Sequence, residues 1–189
     1  MSGPSSLLPP SLPMNRRGYF GIGSEGISKA QNLGAVMRTA NAFGASFVFT
    51  IDATHKAKNI NDSDTSRALR NMPYYDWPDI DAMRLPKGCP IVGIELTEDS
   101  IDLPSFRHPL SCAYILGPEK GSLSPQMQEL CTHIVKIPTK FCINVSLAAA
   151  LTLYDRTLSL GGYPQRPLRP GGPGLEAMEA WSAARTHHR

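Results

Sequence analysis

The chain has 189 residues, of which 41% are hydrophobic and 19% are charged, which suits one soluble domain with a buried core. Residues 18–162 carry 13 Lys/Arg against 14 Asp/Glu, a net charge of −1 within an overall +3. This balance excludes a strongly basic nucleic-acid-binding core, so an RNA or DNA partner needs a local basic patch. No apolar run reaches the length of a membrane span, and residues 1–13 lack the pattern of a signal peptide. We therefore expect a cytoplasmic protein.

The cysteines and histidines do not form a recognisable metal site. The four cysteines are Cys89, Cys112, Cys131 and Cys142. None of them has Cys-x-x-Cys spacing, and most lie in apolar segments, so we expect reduced thiols rather than disulfides or zinc ligands. The histidines also lack metal-ligand spacing, so no metal is predicted.

Residues 1–17 are predicted to be a flexible arm, and Tyr19–Gly23 a first strand. Gly21-x-Gly23-x-x-Gly26 matches the dinucleotide fingerprint, but its first glycine lies inside the candidate strand instead of after it. Asp52 is also farther on than the ribose-binding acid of that fingerprint, which lies about 20 residues downstream. An NAD-dependent enzyme is therefore a remote alternative.

A helix is predicted over residues 31–43, because apolar residues recur on one face of it. Gly44 is well placed to end this helix in a left-handed turn, and residues 45–51 read as a second strand. A strand, a helix and a strand in succession predict a parallel, right-handed unit.

Residues 52–66 are polar and predict a long loop, and residues 66–70 a helical turn. Together they carry the best basic cluster of the central region, Lys56, Lys58, Arg67 and Arg70. Long loops in compact domains are often functional, so RNA binding is one interpretation. A solvated surface loop balanced by Asp62 and Asp64 is the other.

The second half of the chain predicts three more strands and three helices. The strands are predicted at 91–96, 112–116 and 133–137, and the helices at 78–84, from Ser124 to Cys131, and from Asn144 or Ser146 to about 160. Residues 97–110 are expected to be irregular. In the last helix, Val145, Ala148, Leu151 and Leu158 recur at helical spacing, and Ala148–Ala150 leave a flat surface for another backbone. Residues 163–189 are rich in Pro, Gly and Arg, and we expect a disordered tail, which leaves 18–162 as the single domain.

Three segments carry the functional signal. They are Asn32-Leu-Gly-Ala-Val-Met-Arg-Thr-Ala-Asn-Ala-Phe-Gly44, Ile115-Leu-Gly-Pro-Glu-Lys-Gly-Ser-Leu-Ser124 and the stretch from Ile137-Pro138 to Asn144-Val-Ser-Leu-Ala-Ala149. In this order and with this internal spacing, they resemble the motifs of the SpoU/TrmH-type RNA methyltransferases of the SPOUT superfamily. The resemblance covers about residues 18–160.

The resemblance implies a single-domain α/β SPOUT fold, with a parallel sheet flanked by helices and a deep trefoil knot near the C-terminus. It implies a homodimer through the knot region and methyl transfer from S-adenosyl-L-methionine to a ribose 2′-hydroxyl of tRNA or rRNA. It also implies the residues that bind this cofactor, which are Leu116, Gly117, Ile137, Cys142 and Ile143.

For catalysis the resemblance implies Arg38, supported by Asn32, Glu119 and Asn144, with Arg38 also contacting RNA. A guanidinium keeps its proton at ordinary pH, so stabilising the developing alkoxide suits Arg38 better than acting as a base. Cys142 stands where the family usually has serine and is only a weak hydrogen-bond donor. A catalytically weak SPOUT module that binds RNA or the cofactor is therefore the main alternative to an enzyme.

Overall fold

The structure is a computed structural model that describes residues 18–54 and 72–161. The predicted arm and tail lie outside these ranges, as do Lys56, Lys58, Arg67 and Arg70 and the helical turn predicted at 66–70. Within the described ranges no helix is both long and apolar enough to cross a membrane, and no three His, Cys, Asp or Glu residues cluster in a way that could hold a metal ion.

Seven parallel strands form one sheet. In chain order they are β1 (Tyr19–Glu25), β2 (Phe47–Ile51), β3 (Tyr74–Trp77), β4 (Ile91–Ile94), β5 (Ile101–Asp102), β6 (Ser111–Leu116) and β7 (His133–Lys136). Their order across the sheet is β3-β2-β1-β6-β4-β7-β5. The chain winds outward from β1 to β3 on one side and then crosses to β4 on the other, so the winding reverses beside β1 and β6. In open α/β sheets, ligands bind at such a switch point, outside the carboxyl ends of the strands.

Within residues 18–54 and 72–161, three α-helices accompany the sheet: α1 (Ala30–Ala42), α2 (Pro125–Leu130) and α3 (Val145–Ser159). The predicted signals at their ends are present. Gly44 follows α1 with φ 71°, and Ser124 caps α2 by accepting a hydrogen bond from the Met127 backbone N–H, with Pro125 at the first helical position. Of the two candidate caps for α3, Asn144 is the one used.

The two faces of the sheet bury separate apolar clusters, because successive side chains of a strand point to opposite faces. Tyr114 and Leu116 of β6 lie in the cluster that α1 and α3 cover. Ala113 and Ile115 lie in the other cluster, which α2 and partly buried residues between 77 and 89 cover. The predicted parallel α/β sheet flanked by helices is thus confirmed, whereas the trefoil knot stays a prediction of the resemblance.

Two predicted elements were wrong. Residues 74–77 form strand β3 instead of leading into a helix, and residues 78–84 contain no helix, with bends and turns at 78–82. Pairing with β2 decides this, since Thr50 Oγ1 donates to Asp76 Oδ1 at 2.8 Å and lies 2.6 Å from the Tyr74 hydroxyl. Residues 97–110, predicted to be irregular, contain the short strand β5 and a 3₁₀ turn at Leu103–Ser105.

The predicted buried face of α3 was only partly right. Val145 and Ala148 are buried as expected, but Leu151 is 44% exposed. The buried face continues instead through Ala149, Thr152, Leu153 and Arg156. The flat alanine surface is therefore used within the chain, where α3 packs against α1.

Gly21 and Gly23 leave room for aromatic rings. A Cβ on Gly21 would overlap the Phe47 ring, and one on Gly23 would overlap both the ring and the carbonyl oxygen of Phe49. Since β1 runs on to Glu25, both glycines lie inside the strand. The fingerprint match therefore reflects close packing between β1 and β2, and it gives no support to a dinucleotide site.

A buried polar network joins α3 to the start of β6. The Arg156 guanidinium, on a residue that is 1% exposed, donates to the carbonyls of Pro109 and Leu110 at 2.6 and 2.9 Å. It also donates to the Tyr114 hydroxyl at 3.1 Å and lies 4.4 Å from the centre of the Phe20 ring. The Tyr114 hydroxyl is also hydrogen-bonded to Nδ1 of His108, and Nε2 of His108 is hydrogen-bonded to Oδ2 of Asp155 on α3 at 2.9 Å. This network fixes α3 at the end of β6 opposite to the switch point.

Candidate active site

A cavity of about 220 Å³ opens at the carboxyl ends of the strands beside the switch point. Its walls come from the start of α1, the end of β4, the segment after β6 and the segment between β7 and α3. We call residues 117–124 the β6 loop. The lining residues are Lys29, Asn32, Ile94, Glu95, Leu96, Leu116, Gly117, Pro118, Glu119, Gly121, Ile137, Thr139, Cys142, Ile143, Asn144, Val145 and Ala148.

The carboxylate of Glu119 closes the start of α1. It accepts hydrogen bonds from the backbone N–H and the hydroxyl of Ser28, each at 2.9 Å, from the backbone N–H of Lys29 at 2.9 Å and from Asn32 Nδ2 at 3.0 Å. Lys29, at the cap position, makes no side-chain cap of its own, and Glu119 instead holds the two backbone N–H groups just before the helix and the side chain of Asn32 in its first turn. Partial burial raises the pKa of this carboxyl, but the hydrogen bonds, chiefly those from Ser28 and Asn32, lower it by more. The resulting pKa is about 2.

Asn144 links the start of α3 to the start of α1. Its Oδ1 accepts from the backbone N–H of Ser146 at 2.8 Å and from the Ser146 hydroxyl at 2.6 Å. Its Nδ2 donates to Asn32 Oδ1 at 3.2 Å. Because Asn32 Nδ2 is held by Glu119, both ends of the Asn32 amide are fixed, and one chain of bonds runs from the β6 loop through α1 to α3.

Two further carboxylates hold the far end of the β6 loop. Glu25, the last residue of β1, accepts from the backbone N–H of Ser124 at 2.9 Å. Glu95, directly after β4, accepts from the backbone N–H groups of Leu123 at 2.8 Å and Leu96 at 2.9 Å. The β6 loop is therefore anchored to both neighbouring strands, and of these two acids only Glu95 lines the cavity.

A sequence model of the SpoU rRNA Methylase family matches residues 20–154 of this chain, which is most of its length. The chain belongs to the SpoU family. This confirms the family predicted from the three motifs, and the match covers all of the residues that line the cavity.

Individual SpoU relatives are similar over most of this chain. A tRNA (guanosine(18)-2′-O)-methyltransferase of Thermus thermophilus is 29% identical over 156 residues, 77% of this chain and 79% of the relative. The 23S rRNA (guanosine-2′-O-)-methyltransferase RlmB of Nitrosomonas europaea is 30% identical over 146 residues. The aligned part covers 69% of this chain and 53% of RlmB. Among solved structures, the SpoU methyltransferase AviRb of Streptomyces viridochromogenes, in complex with the cofactor AdoMet, has a TM-score of 0.65. AviRb is 22% identical, with 77% of this chain and 62% of AviRb covered, so this likeness speaks for the fold.

Most of the residues singled out by the SpoU motifs lie around the one cavity. All five predicted cofactor-binding residues line it, as do Asn32, Glu119 and Asn144. Arg38 does not: it lies part-buried on α1, six residues beyond Asn32. Six helical residues correspond to about 9 Å of rise and a position about 120° around the axis. The functional roles of all these residues stay predictions.

The cavity suits S-adenosylmethionine chemically. Gly117 has no side chain to fill it, and a Cβ there would lie 3.2 Å from the backbone nitrogen of Leu123 and 3.4 Å from Glu95 Oε2. Ile94, Leu96, Leu116, Ile137 and Ile143 supply apolar surface for a purine. Glu95 and Glu119 outnumber the one cationic residue of the lining, Lys29, so the walls carry a negative balance that favours a sulfonium cation.

Sequence reasoning missed several SpoU-domain residues at this cavity, chiefly Lys29, Glu95 and Thr139. A usable signal existed for Glu95, because it is the first charged residue after a buried strand, where ligands of parallel sheets bind. Glu25 has a comparable position, as the last residue of β1. No spacing rule marks Thr139, which donates to the carbonyl of Phe141 at 2.8 Å and so braces the segment before Cys142.

Proposed function

We propose that this protein is an RNA methyltransferase that moves a methyl group from S-adenosylmethionine to a ribose 2′-hydroxyl of tRNA or rRNA. Membership of the SpoU family and the names of the tRNA and 23S rRNA relatives support the reaction and the substrate class. The observation that carries the proposal is the meeting of the three motif segments around one cavity.

S-adenosylmethionine supplies an electrophilic methyl group on a cationic sulfur. In the proposed transfer the S–CH₃ bond would break as the O–CH₃ bond forms, the sulfur would become a neutral thioether, and the 2′-hydroxyl proton would be released to solvent water. In this proposal the apolar walls and Gly117 hold the adenosyl part. The hydrogen bonds among Glu119, Asn32 and Asn144 hold the amino-terminal ends of α1 and α3 in place, which fixes the orientation of the reactants.

Arg38 is proposed to bind the RNA and to stabilise the negative charge that develops on the 2′-oxygen, because a guanidinium is a strong, fixed donor to anionic oxygen. Its place away from the cavity wall of its own chain supports a site built from two chains. We therefore propose a homodimer in which Arg38 of each protomer serves the cavity of the other. The exposed apolar stripe of α3, made of Leu147 (58%), Leu151 (44%) and Tyr154 (49%), is the proposed contact surface.

The remaining parts of the proposal rest on composition. Lys56, Lys58, Arg67 and Arg70 are proposed to hold RNA phosphates, which would make binding strongly salt-dependent. A cytoplasmic location fits an RNA substrate and the unpaired state of all four cysteines.

The first test is transfer of labelled methyl groups from S-adenosylmethionine to total tRNA and rRNA, followed by mapping of 2′-O-methyl positions. We expect transfer by the wild type and none by Arg38→Ala, with cofactor binding retained in calorimetry. Cofactor binding without any transfer by the wild type would instead favour the binding module. Full activity of Arg38→Ala would contradict the role given to Arg38.

Mixed dimers test the two-chain site. Arg38→Ala keeps an intact cavity, and Gly117→Leu, whose side chain would crowd Leu123 and Glu95 in the cavity wall, keeps an intact Arg38. If Arg38 serves the partner, mixing and refolding these two inactive variants restores one working site per mixed dimer. If Arg38 serves its own chain, the mixture stays inactive. Leu151→Glu, which should separate the protomers, is checked by light scattering.

A further inference from the structure

The two carboxylates that line the cavity differ in the number of hydrogen bonds they can still accept. A carboxylate offers about four lone-pair sites, two on each oxygen. In Glu119, Oε2 accepts two bonds from Ser28, and Oε1 accepts one each from Lys29 and Asn32. Glu119 is therefore saturated and can accept a bond from a ligand only by giving up one of these.

Glu95 has acceptor sites to spare. Oε1 accepts one bond, from Leu96, and Oε2 accepts one bond, from Leu123. One lone pair on each oxygen thus remains open. The two existing bonds fix the carboxylate at the carboxyl end of β4. It lies beside Gly117, where an added Cβ would be 3.4 Å from Oε2. The carboxylate is part-buried in the cavity wall and is held still before any ligand arrives.

We propose that Glu95 binds the ribose of the adenosyl donor, with one carboxylate oxygen accepting from the 2′-hydroxyl and the other from the 3′-hydroxyl. This inference rests on the proposed function. Two open acceptor sites on adjacent oxygens match two neighbouring hydroxyl donors, which a vicinal diol provides. An acid at the end of a parallel strand serves the same purpose in dinucleotide-binding sheets. Glu95 would then select a ribonucleoside donor, which the apolar walls alone cannot do.

Glu25 provides a matched control. It accepts a backbone N–H of the same loop, from Ser124 next to Leu123, but it does not line the cavity. Glu95→Gln and Glu25→Gln are therefore compared by calorimetry with S-adenosylhomocysteine and with its 2′-deoxy and 3′-deoxy analogues. Circular dichroism and thermal melting monitor folding in parallel.

We expect the wild type to bind S-adenosylhomocysteine at least about tenfold more tightly than either deoxy analogue, the usual loss for a hydrogen bond to a charged group. Glu25→Gln should keep this discrimination. In Glu95→Gln, affinity for S-adenosylhomocysteine should fall about tenfold or more, while the deoxy analogues, which have already lost one of the two bonds, lose less. A general weakening of the loop would lower all three affinities by the same factor and so would not change the ratio.

Equal affinity of the wild type for all three compounds would overturn the inference, as would unchanged discrimination in Glu95→Gln. If Glu95→Gln does not fold, Glu95→Asp replaces it, since its shorter side chain should also lose the discrimination. Failure of the wild type to bind S-adenosylhomocysteine at all would overturn the proposed function instead, so the two failures are distinguishable.

Discussion

Asn144 donates a hydrogen bond of 3.2 Å to Asn32, although 112 residues separate them in the sequence. Asn32 begins the first SpoU motif and Asn144 belongs to the third, and Glu119 of the second motif holds the other end of the Asn32 amide. The three motifs are therefore one hydrogen-bonded unit at the carboxyl edge of the sheet. This unit positions the loops around the cavity.

The first prediction separates the two roles of Asn144, which caps α3 and donates to Asn32. Asn144→Ala removes the cap of α3 as well as the bond to Asn32, and loss of a cap costs about 1 kcal/mol of stability. Asn144→Asp keeps an oxygen for the Ser146 backbone N–H but has no donor for Asn32. We expect Asn144→Asp to be nearly as stable as the wild type in urea titrations and yet to lose methyl transfer. Equal activity of Asn144→Asp and wild type would mean that only the cap matters.

The second prediction concerns the ionised state of Glu119. Its pKa of about 2 in the folded protein lies below its ordinary value of 4.5. The carboxylate therefore stabilises the fold above pH 4.5, and this contribution is lost as pH falls toward 2. Glu119→Gln should lower the free energy of unfolding at pH 7 by about 1–3 kcal/mol, because its amide faces N–H groups that need an acceptor.

The control for Glu119→Gln is the pH series itself. The difference between wild type and variant, measured by urea titration, should shrink as pH falls from 4.5 toward 2. A difference that stays constant over this range would show that the charge of Glu119 is not what stabilises the start of α1.

Most of the site was within reach of the sequence, because the SpoU motifs name residues at the ends of strands and the starts of helices. Gly117, Ile137 and Asn144 could be expected at one edge of a parallel sheet for this reason. The position of Glu25 and Glu95 at the ends of buried strands was a usable signal, but the bonds they make were not predictable, because their partners are backbone N–H groups of the β6 loop, up to 99 residues away. Such partners leave no trace in residue spacing.

The predictions for residues 74–84 and for the buried face of α3 failed for physical reasons. Tyr74–Trp77 was expected to lead into a helix at 78–84, but pairing with β2 makes these residues a strand. The buried face of α3 was misjudged because Arg156 and Thr152 look like surface residues. Arg156 is buried only because two backbone carbonyls and the Phe20 ring receive its guanidinium.

The third prediction concerns the glycines of β1. Gly23→Ala should be more destabilising than Gly21→Ala, because the added methyl group meets the backbone oxygen of Phe49 in the paired strand, whereas at Gly21 it meets the end of the Phe47 ring. Overpacking of a core typically costs about 1–3 kcal/mol, and we expect Gly23→Ala at or above the upper end. Urea titration measures both.

Gly88→Ala is the control for the glycine pair. Gly88 has open surroundings, so an alanine there adds only the strain of its φ of 75°. Gly21→Ala should also leave the affinity for S-adenosylhomocysteine unchanged, since Gly21 is not part of the cavity wall. If the wild type binds NAD and Gly21→Ala does not, the result would instead support the dinucleotide interpretation.

The last prediction is a dependence of stability on pH that originates at His108, which does not line the cavity. Burial lowers the pKa of His108 below 6.5, more than the hydrogen bond and the charge of Asp155 raise it, and the charge of Arg156 lowers it further. The ring is therefore neutral at pH 7, and its contacts fit a tautomer in which Nε2–H donates to Asp155 while Nδ1 accepts from Tyr114. Below pH 6.5 the imidazole of His108 binds a proton in the unfolded chain but stays neutral in the folded protein. The free energy of unfolding therefore falls as pH falls, by up to about 1.4 kcal/mol per pH unit.

His108→Gln should flatten this slope between pH 7.5 and 5.5 in urea titrations, at a cost in stability at pH 7.5. Cofactor affinity at pH 7.5 should not change, because His108 does not line the cavity. An unchanged slope in the variant would assign the pH dependence to other groups.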